Sequence, residues 1–335
     1  MEPTTLVEIE KSSYFETFGT DFPNHHFDDI YEYFDFLNSY YLEDTHQNAA
    51  ITSIIIAINT IIIIVGVLGN LLIIASIARS KKMHRPTYIM IGNIAFSDII
   101  MTAVCLPFSL TYSFQENMEF GDIICGVVPA LRIISVCVSS ASLTAIAISR
   151  YYVIVHPMKK RLSTSNCIII IIIIWLVAII LAVPLGMFTK REVIEVTGIF
   201  KKVICSEQWE THYAKTIYDI FMFLLQCVLP LVIIGVLYTR ILIHVNNRVV
   251  PGVRTENQHA SDMKKKLKMT KMLVSVIIVF AIGWLPLNIW FLTSDFSFDI
   301  INNKHFSLLY HIFHALAMCT TCINVFMYGF MNETF

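Results

Sequence analysis

"CIIIIIIIWLVAIILAVPLGMF", Cys167–Phe188, is a run of 22 residues without a charged side chain. As a helix it would be about 33 Å long, enough to cross the ~30 Å hydrocarbon core of a bilayer. Seven long, mostly apolar stretches, this one included, are predicted spans: residues 49–78, 86–113, 123–155, 165–188, 213–245, 267–293 and 305–330. The sequence therefore predicts an all-α membrane protein, with a seven-helix transmembrane domain over 49–330.

The flanking segments and the composition agree with this prediction. The chain is 56% hydrophobic with a mean hydropathy of +0.66, more apolar than a typical soluble domain. Residues 1–48 hold eleven acidic residues and one basic residue, Lys11. This segment does not resemble a signal peptide and is expected to form a disordered acidic tail. Residues 331–335 are expected to begin a truncated cytoplasmic tail.

Basic residues predict the orientation, because lysine and arginine concentrate in cytoplasmic loops. They fall between spans one and two, three and four, and five and six: Arg79, Lys81, Lys82, Arg85, Lys159, Lys160, Arg161, Arg248, Arg254, Lys264, Lys265, Lys266 and Lys268. We therefore expect the N-terminus outside and the C-terminus inside. Of the eight cysteines, Cys125 and Cys205 then lie on the oxidising extracellular side, where a disulfide between them is favoured.

Polar residues inside the spans predict functional positions, since ionisable groups are costly in a bilayer. Asp98 is the strongest case, and Asn70, Ser139 and Asn324 can converge on it if the helices form a bundle. This set predicts a monovalent-cation site, with sodium as a possible allosteric ligand and no other cofactor. The alternative is that these groups only join helices by hydrogen bonds, which is the favoured interpretation for Asn70.

Prolines and one arginine predict moving parts. Pro107, Pro184, Pro230 and Pro286 fall within spans, where each removes a backbone donor and bends its helix. Arg150, in "AISRYYVIVHP", lies at the predicted cytoplasmic end of span three. Tyr238 and Tyr328 are also near that end and could become its partners when the bundle rearranges, which would make Arg150 a switch.

An enzyme is the remote alternative. His311 and His314 are three residues apart, on one face of a helix, a spacing that some metal sites use. A seven-span metal hydrolase would need a third ligand and a nearby acid, and Asp98 has no further inward histidine beside it. We therefore expect no enzyme, no metal site and no nucleic-acid partner; His311 is interpreted as a packing residue and His314 as facing an extracellular cavity.

Together these residues resemble the rhodopsin-like (class A) G-protein-coupled receptors over about 49–335. The matching landmarks are Asn70 in GVLGN, Asp98, Cys125, Arg150-Tyr151, Trp175, Cys205, Pro230, Tyr238, Phe280, Trp284, Pro286 and Asn324 to Tyr328. Finer motifs, "SRYYVIVHPMKKRLS", "CSEQW", "NNRVVPG", "GWLPLNIW" and "HALAMCTTCINVFMYGFMNETF", resemble the branch of receptors for neuropeptide Y, prolactin-releasing peptide and short neuropeptide F.

The resemblance implies a plasma-membrane receptor that binds a peptide ending in Arg-Phe-amide or Arg-Tyr-amide and activates a heterotrimeric G protein. It implies that Asp295 pairs with the ligand arginine and that Glu207 is a second extracellular acid. The full predicted ligand-binding set is Asp295, Glu207, Arg132, His314, Trp284 and Trp209; the predicted G-protein switch is Ser149, Arg150, Tyr151, Tyr238 and Tyr328.

Three residues depart from the pattern of this branch. Ser149 stands where the family usually has aspartate, Val325 where it has proline, and Arg132 where it often has glutamine. The sequence offers no compensating acid near Arg150, because the start of span six, Lys264 to Lys268, is basic. We therefore expect raised basal signalling. The alternative function is a non-signalling peptide-binding decoy or a partner in a receptor heteromer.

Overall fold

The computed structural model describes residues 49–114, 121–156, 158, 162–196, 200–246, 256–296 and 306–331; of 194–196, 200–203, 212, 245–246, 256–273, 295–296, 306–307 and 330–331 it describes the backbone only. The elements in chain order are α1 (Ala49–Arg79), α2 (Pro86–Phe114), α3 (Asp122–Val155), α4 (Thr164–Phe188), β1 (Thr189–Val196), β2 (Phe200–Glu207), α5 (His212–Phe223, Leu224–Val228 and Leu229–Asn246), α6 (Glu256–Phe296) and α7 (Phe306–Met331). Among the described residues seven helices are long and apolar enough to span a membrane. The seven predicted spans are thus confirmed.

Local sequence explains where several helices begin. Pro86 occupies the first turn of α2, where its missing N–H costs no hydrogen bond. Ser163 caps α4 by accepting a hydrogen bond of 3.2 Å from the backbone N–H of Asn166. Thr211 caps α5 in the same way, at 3.3 Å from the N–H of Ala214. These hydroxyl caps satisfy donors that have no partner within the helix.

Prolines account for irregular turns in α2 and α5. A π-helical segment, Met101–Cys105, ends two residues before Pro107 in α2, and another, Leu224–Val228, ends two residues before Pro230 in α5. Each wide turn lies where the ring removes a backbone donor, so the helix continues with altered pitch. Pro129, which the sequence analysis did not single out, is a further proline within a span, in α3.

The core of the bundle forms around α3, which packs against α2, α4, α5 and α6. Its contact with α4 is close: a β-carbon on Gly126 would lie 2.5 Å from the backbone oxygen of Gly186. A polar node further along α3 joins three helices, since Asn93 of α2 donates to Ser142 of α3 and accepts from Trp175 of α4, both at 2.9 Å. Many apolar side chains of α1 and α4 are exposed, as expected of helices that face lipid.

The two strands form an antiparallel hairpin between α4 and α5, with Thr189 paired to Glu207 and Val196 to Phe200. A disulfide joins Cys205 of β2 to Cys125 at the start of α3, as predicted. The hydroxyl of Tyr112 in α2 also donates to the backbone oxygen of Cys205, at 3.2 Å. We call this the hairpin end of the bundle; Arg150, 25 residues beyond Cys125 along α3 and thus about 37 Å away, marks the opposite, Arg150 end.

Candidate functional site

A cavity at the hairpin end lies between α3, α5 and α6, beside the end of β2. Its empty volume is about 670 Å³, counting the open mouth. The walls combine apolar side chains, among them the aromatic rings of Trp284 and Phe291, with polar ones. The polar side chains that line it are Arg132, Glu207, Lys215, Asp219, Gln226 and Asn288. Ligand sites usually combine apolar surface with a small number of placed polar groups, and this cavity is more polar than most.

Two of the charged groups in the cavity are held by aromatic residues. The guanidinium carbon of Arg132 lies 5.2 Å from the centroid of the Phe291 ring, a cation–π contact. The indole N–H of Trp209 donates a hydrogen bond of 2.9 Å to a carboxylate oxygen of Glu207. Both side chains therefore have a defined orientation before any ligand is present.

The structure brings three of the six predicted ligand-binding residues to the cavity: Arg132, Glu207 and Trp284. Trp209 is not among the lining residues of the cavity. Its ring stacks on that of Phe188, with 4.5 Å between the centroids, and its indole N–H orients the carboxylate of Glu207, which does line the cavity. His314 does not line the cavity either.

His314 belongs to α7, and its side chain packs against α2. The side chain is buried, with its Nε2 3.4 Å from the Ser109 hydroxyl and its ring 5.5 Å from that of Tyr310. From the sequence this residue was expected to face an extracellular cavity; its described contacts are with Ser109 and Tyr310. Asp295 is the last of the six: its backbone lies in α6, and its side chain is outside the described part of the chain.

Lys215, Asp219, Gln226 and Asn288 line the cavity and were missed from the sequence. Asp219 and Lys215 carry a detectable signal, because charged residues inside a membrane-spanning helix are rare and usually functional. Gln226 is buried and donates to the sulfur of Cys137 at 3.2 Å, and Asn288 donates to the backbone oxygen of Trp284 at 2.8 Å. A single amide side chain in a span is weaker evidence of a functional position, because many amides only form hydrogen bonds within the bundle.

The predicted polar core forms around Asp98, which is 5% exposed. Asn324 of α7 donates to one carboxylate oxygen at 3.1 Å, and Ser139 of α3 approaches the other at 3.4 Å. Ser139 is also 2.7 Å from the hydroxyl of Ser97. Carboxylate, hydroxyl and amide oxygens are the ligands that hard cations prefer. The residues therefore fit a sodium ion, which would sit among oxygens of Asp98, Ser139 and Asn324.

Asn70 stands apart from this cluster. Its side-chain nitrogen donates to the backbone oxygen of Gly66, one turn earlier in α1, at 2.8 Å, and to that of Thr321 in α7 at 3.4 Å. Neither contact involves the carboxylate of Asp98. Asn70 thus joins α1 to α7 by hydrogen bonds, the arrangement favoured for it from the sequence.

At the Arg150 end, the guanidinium of Arg150 donates a hydrogen bond of 2.8 Å to the hydroxyl of Thr87 in α2. No acid was expected near Arg150, and its described partner is a neutral hydroxyl, on a residue 63 positions earlier in the chain that the sequence did not reveal. The Nε of Arg150 and the hydroxyl of Tyr328 are buried and have no hydrogen-bond partner among the described residues. Buried polar atoms without a partner are uncommon, so both groups have unused hydrogen-bonding capacity among the described residues.

The remaining predicted switch residues are partly exposed. Ser149 and Tyr238 are half-buried, and Tyr151 packs edge-on against Tyr152 and His156, at 5.7 and 5.6 Å between ring centroids. Within the described ranges no group of three His, Cys, Asp or Glu residues could hold a metal ion.

Comparison with known proteins places these sites in a family context. Residues 69–328 match the family described as 7 transmembrane receptor (rhodopsin family). The chain is 37% identical over 298 residues to the neuropeptide Y receptor type 2 of Gallus gallus, covering 88% of this chain and 76% of that receptor. The neuropeptide Y receptor type 2 of Homo sapiens is 36% identical over 277 residues, covering 82% of this chain and 72% of that receptor.

Proposed function

Because this chain belongs to the rhodopsin family of seven-transmembrane receptors, we propose that it is a neuropeptide receptor that binds an amidated Arg-Phe or Arg-Tyr type peptide and activates a heterotrimeric G protein. Membership makes it a multi-pass protein of the plasma membrane, and not an enzyme. Its similarity to receptors named for neuropeptide Y supports the ligand class. The N-terminus outside and the hairpin end facing the extracellular medium are part of this proposal.

The observation that carries the proposal is the pair of acids at the hairpin-end cavity. Glu207 enters it from the strand tied to α3 by the disulfide, and Asp219 enters it from α5. A cationic side chain that leaves water gains most from a carboxylate that is already oriented. The indole N–H of Trp209 orients Glu207 in this way. The cavity also holds the cations Arg132 and Lys215, so its two acids, and not its net charge, are proposed to bind an arginine near the end of the peptide that enters it.

Asp295 completes the proposed recognition of the ligand arginine. It lies nine residues beyond Pro286, near the end of α6. Because the resemblance assigns it the main ionic contact, Asp295→Ala should weaken binding more than about tenfold, the equivalent of a charge-assisted hydrogen bond.

The signal is proposed to pass from the cavity to the Arg150 end through α6. Trp284 lines the cavity, and its ring lies 6.0 Å from that of Phe280, one turn nearer the Arg150 end. Pro286 removes a backbone hydrogen bond in the same stretch, which gives the helix a joint. A ligand that displaces Trp284 would move the part of α6 that lies nearer the Arg150 end. This movement would open a path to Arg150 for the G protein.

The test uses cells that carry the chain and a panel of amidated peptides, with binding and G-protein activation measured separately. We expect saturable binding of peptides ending in Arg-Phe-amide or Arg-Tyr-amide, and a loss of affinity when the peptide arginine is replaced by alanine. Glu207→Gln and Asp295→Ala should weaken binding. Glu210→Gln, an exposed acid on the same segment, is the matched control and should leave binding unchanged.

The same experiment separates the decoy alternative. Ser149 and Val325 favour that alternative, because both replace residues that the family usually has at the Arg150 end. Tight peptide binding without G-protein activation, at normal surface expression, would select the decoy. Peptide binding that ignores the ligand arginine would overturn the proposed recognition, whatever the signalling.

A further inference from the structure

The turn between α1 and α2 has the sequence "RSKKMHR", residues 79–85, and we call it the basic turn. Its lysine and arginine residues are Arg79, Lys81, Lys82 and Arg85, and all four side chains are exposed. The turn lies at the Arg150 end of the bundle, because Thr87, two residues beyond it, accepts the hydrogen bond from Arg150. Four cations within seven residues are therefore displayed at one edge of that end.

The charge of the basic turn is not matched by acids. No aspartate or glutamate occurs between residues 45 and 97. The acids whose side chains the structure describes are Asp98, Asp122, Glu192, Glu207, Glu210 and Asp219. Asp98 is buried inside the bundle, and the other five belong to the hairpin end, so none of them lies beside the turn. The turn is thus a concentrated positive charge that an external anion can neutralise.

The basic turn is held in one conformation. Its centre, Lys81–Met83, is a 3-10 helix. The backbone N–H of Met83 donates to the oxygen of Ser80 at 2.9 Å, and that of His84 donates to the oxygen of Lys81 at 3.3 Å. The side chain of Met83 is buried in the core of the bundle and anchors the turn from below. Because the backbone is fixed in this way, the cations keep a defined spacing.

The surface of α1 leads from lipid to the basic turn. A stripe of exposed apolar side chains, three or four residues apart, consists of Ile61, Ile64, Leu68, Leu72 and Ala75. Arg79 continues this stripe and is the first Asp, Glu, Lys or Arg residue after Asp44. It lies about 27 Å along the helix from Ile61, close to the ~30 Å thickness of the hydrocarbon core. Arg79 is therefore placed where a lipid-facing helix reaches the headgroups.

Lipid also borders the turn on the side of α4. The thiol of Cys167, in the first turn of α4, lies 3.4 Å from the backbone oxygen of Pro86, which directly follows the basic turn. The next residues of α4, Ile168 and Ile169, are exposed. The basic turn is thus flanked by two helices with apolar exposed surfaces, so the anion nearest to it is the headgroup of a lipid.

The number and spacing of the cations favour one class of headgroup. Attraction of an anionic membrane surface increases with each basic residue near it. A headgroup with a single charge can engage one cation of the turn, whereas a headgroup with several phosphates can engage two or more at once. Lysine binds phosphate as a point charge and arginine binds it with two parallel hydrogen bonds. The preference of basic residues for cytoplasmic loops explains the sign of the charge, but not this fixed arrangement without acids.

We propose that the basic turn binds the headgroup of a polyphosphorylated anionic phospholipid, such as a phosphatidylinositol bisphosphate, in the leaflet at the Arg150 end. The inference rests on the proposed function in one respect, the orientation, which makes this leaflet the cytoplasmic one. It assigns the receptor a lipid site that is separate from the peptide cavity at the hairpin end.

The test titrates the purified full chain, in neutral detergent, into a fluorescent short-chain phosphatidylinositol bisphosphate and follows the anisotropy. Unlabelled phosphatidylserine and phosphatidylcholine of the same chain length, and soluble inositol trisphosphate, serve as competitors. The test variant combines Lys81→Gln with Lys82→Gln, and a second variant, with arginine at both positions, keeps the charge. The matched control combines Lys265→Gln with Lys266→Gln in α6, which removes the same charge from the same side of the membrane.

We expect the wild type to bind the probe saturably. The variant with glutamine at 81 and 82 should bind about 25-fold more weakly, or about fivefold for each lysine. The arginine variant and the α6 control should retain the wild-type affinity. Phosphatidylserine, phosphatidylcholine and inositol trisphosphate should each displace the probe less effectively than the unlabelled bisphosphate lipid. The thermal midpoint without lipid, measured for each variant, shows that the exposed substitutions leave the fold intact.

Three results would overturn the inference. Equal weakening by the test variant and the α6 control would mean general attraction between charges, and equal displacement by phosphatidylserine would mean no preference for several phosphates. Inositol trisphosphate that binds as tightly as the lipid would make the turn a site for soluble phosphates.

A role of the basic turn in G-protein contact is the competing explanation. It predicts that the test variant loses guanine-nucleotide exchange in phosphatidylcholine bilayers while its lipid affinity is unchanged, and this result would also overturn the inference. The lipid titration contains neither peptide nor G protein, so its failure leaves the proposed function intact. Absence of peptide binding, in turn, would refute the proposed function without changing the lipid affinities.

Discussion

The hydrogen bond from Arg150 to Thr87 joins the Arg150 end of α3 to the first turn of α2, with 2.8 Å between the guanidinium nitrogen and the hydroxyl oxygen. Ser149 offers no charge to hold the arginine, so Thr87 is its described restraint. A hydrogen bond to a charged group contributes about 1.5–3 kcal/mol. An acid at position 149 would add an ion pair to this hydrogen bond. Arg150 is therefore restrained more than it would be without Thr87, and less than it would be with an acid at position 149.

Thr87→Val should raise basal signalling. Valine keeps the shape of threonine but accepts no hydrogen bond. The arrangement in which Arg150 contacts α2 therefore becomes less stable. A loss of about 1.5 kcal/mol would shift a two-state population roughly tenfold. The measurement is ligand-independent G-protein activation, normalised to surface expression.

Thr239→Val is the matched control for this prediction. The hydroxyl of Thr239 donates to the backbone oxygen of Gly235 within α5, on an exposed face. Equal basal activity in Thr87→Val and the wild type, with equal expression, would show that Thr87 does not restrain Arg150.

Ser149→Asp should act in the opposite direction. A carboxylate next to Arg150 adds a charged partner to the restraint that Thr87 provides, and so favours the resting arrangement. Basal signalling should fall, while the affinity for a peptide that does not activate the receptor should be unchanged. A wild type that is well expressed, responds to agonist and is silent without it would mean that Thr87 alone suffices, and Ser149→Asp would then have no effect on basal activity.

Sodium should stabilise the protein through Asp98. A cation held among Asp98, Ser139 and Asn324 would add about 1 kcal/mol of stability at about five times its dissociation constant. The thermal midpoint of the purified receptor should therefore be about 2 °C higher in sodium chloride than in choline chloride. Asp98→Asn should abolish this difference, and Asp219→Asn, an acid outside the cluster, should keep it. The same midpoint in both salts would rule out a sodium site of useful affinity.

Gly69→Ala should destabilise the bundle. A β-carbon at position 69 would lie 2.7 Å from a methyl carbon of Val325, so α1 and α7 would have to separate. Overpacking of this kind costs about 1–3 kcal/mol, more than the 0.5–1 kcal/mol, roughly, that alanine gains over glycine within a helix. The half-life of the purified receptor at elevated temperature reports the change.

Two comparisons make the Gly69→Ala test specific. Gly235→Ala in α5 meets no atom within 4 Å and should be neutral or stabilising. Adding Val325→Ala to Gly69→Ala should recover part of the loss, because it removes the colliding methyl groups. If Gly69→Ala and Gly235→Ala behave alike, α1 and α7 are not packed as closely as described.

Trp209→Phe should weaken binding of arginine-containing peptides by roughly three- to tenfold. Phenylalanine can keep the ring packing against Phe188 and Tyr218, which lie at 4.5 and 5.2 Å, but it lacks the N–H that orients Glu207. In a Glu207→Gln background the same substitution should add little, since the two act through one contact. If the losses of peptide affinity add in the double variant, Trp209 contacts the ligand directly.

The spans and the disulfide were predictable because each depends on strong local signals. Uncharged stretches such as 167–188 have few alternatives to crossing a bilayer, and a compartment argument is enough to favour pairing Cys125 with Cys205. The convergence of Ser139 and Asn324 on Asp98 was anticipated because a buried carboxylate needs partners. Asn70 shares the composition of that cluster but bonds to backbone oxygens, which composition alone does not distinguish.

The contacts that the sequence did not reveal depend on how distant elements meet. Thr87 is an ordinary threonine in the first turn of a helix, and only the crossing of α2 and α3 brings it to Arg150. The placement of His314 between α2 and α7, and of Trp209 behind Glu207, likewise follows from packing. Asp219 could have been found by the rule that singled out Asp98, had it been applied to α5.

The central claim is that a peptide bound at the hairpin end acts on a G protein at the Arg150 end. Guanine-nucleotide exchange on a purified heterotrimeric G protein, measured with the receptor reconstituted in lipid bilayers, tests it most directly. We predict that a peptide ending in Arg-Phe-amide accelerates exchange with the same concentration dependence as its binding, and that Glu207→Gln shifts both curves together. Saturable binding with no acceleration of exchange, for every member of a panel of G proteins, would contradict the claim.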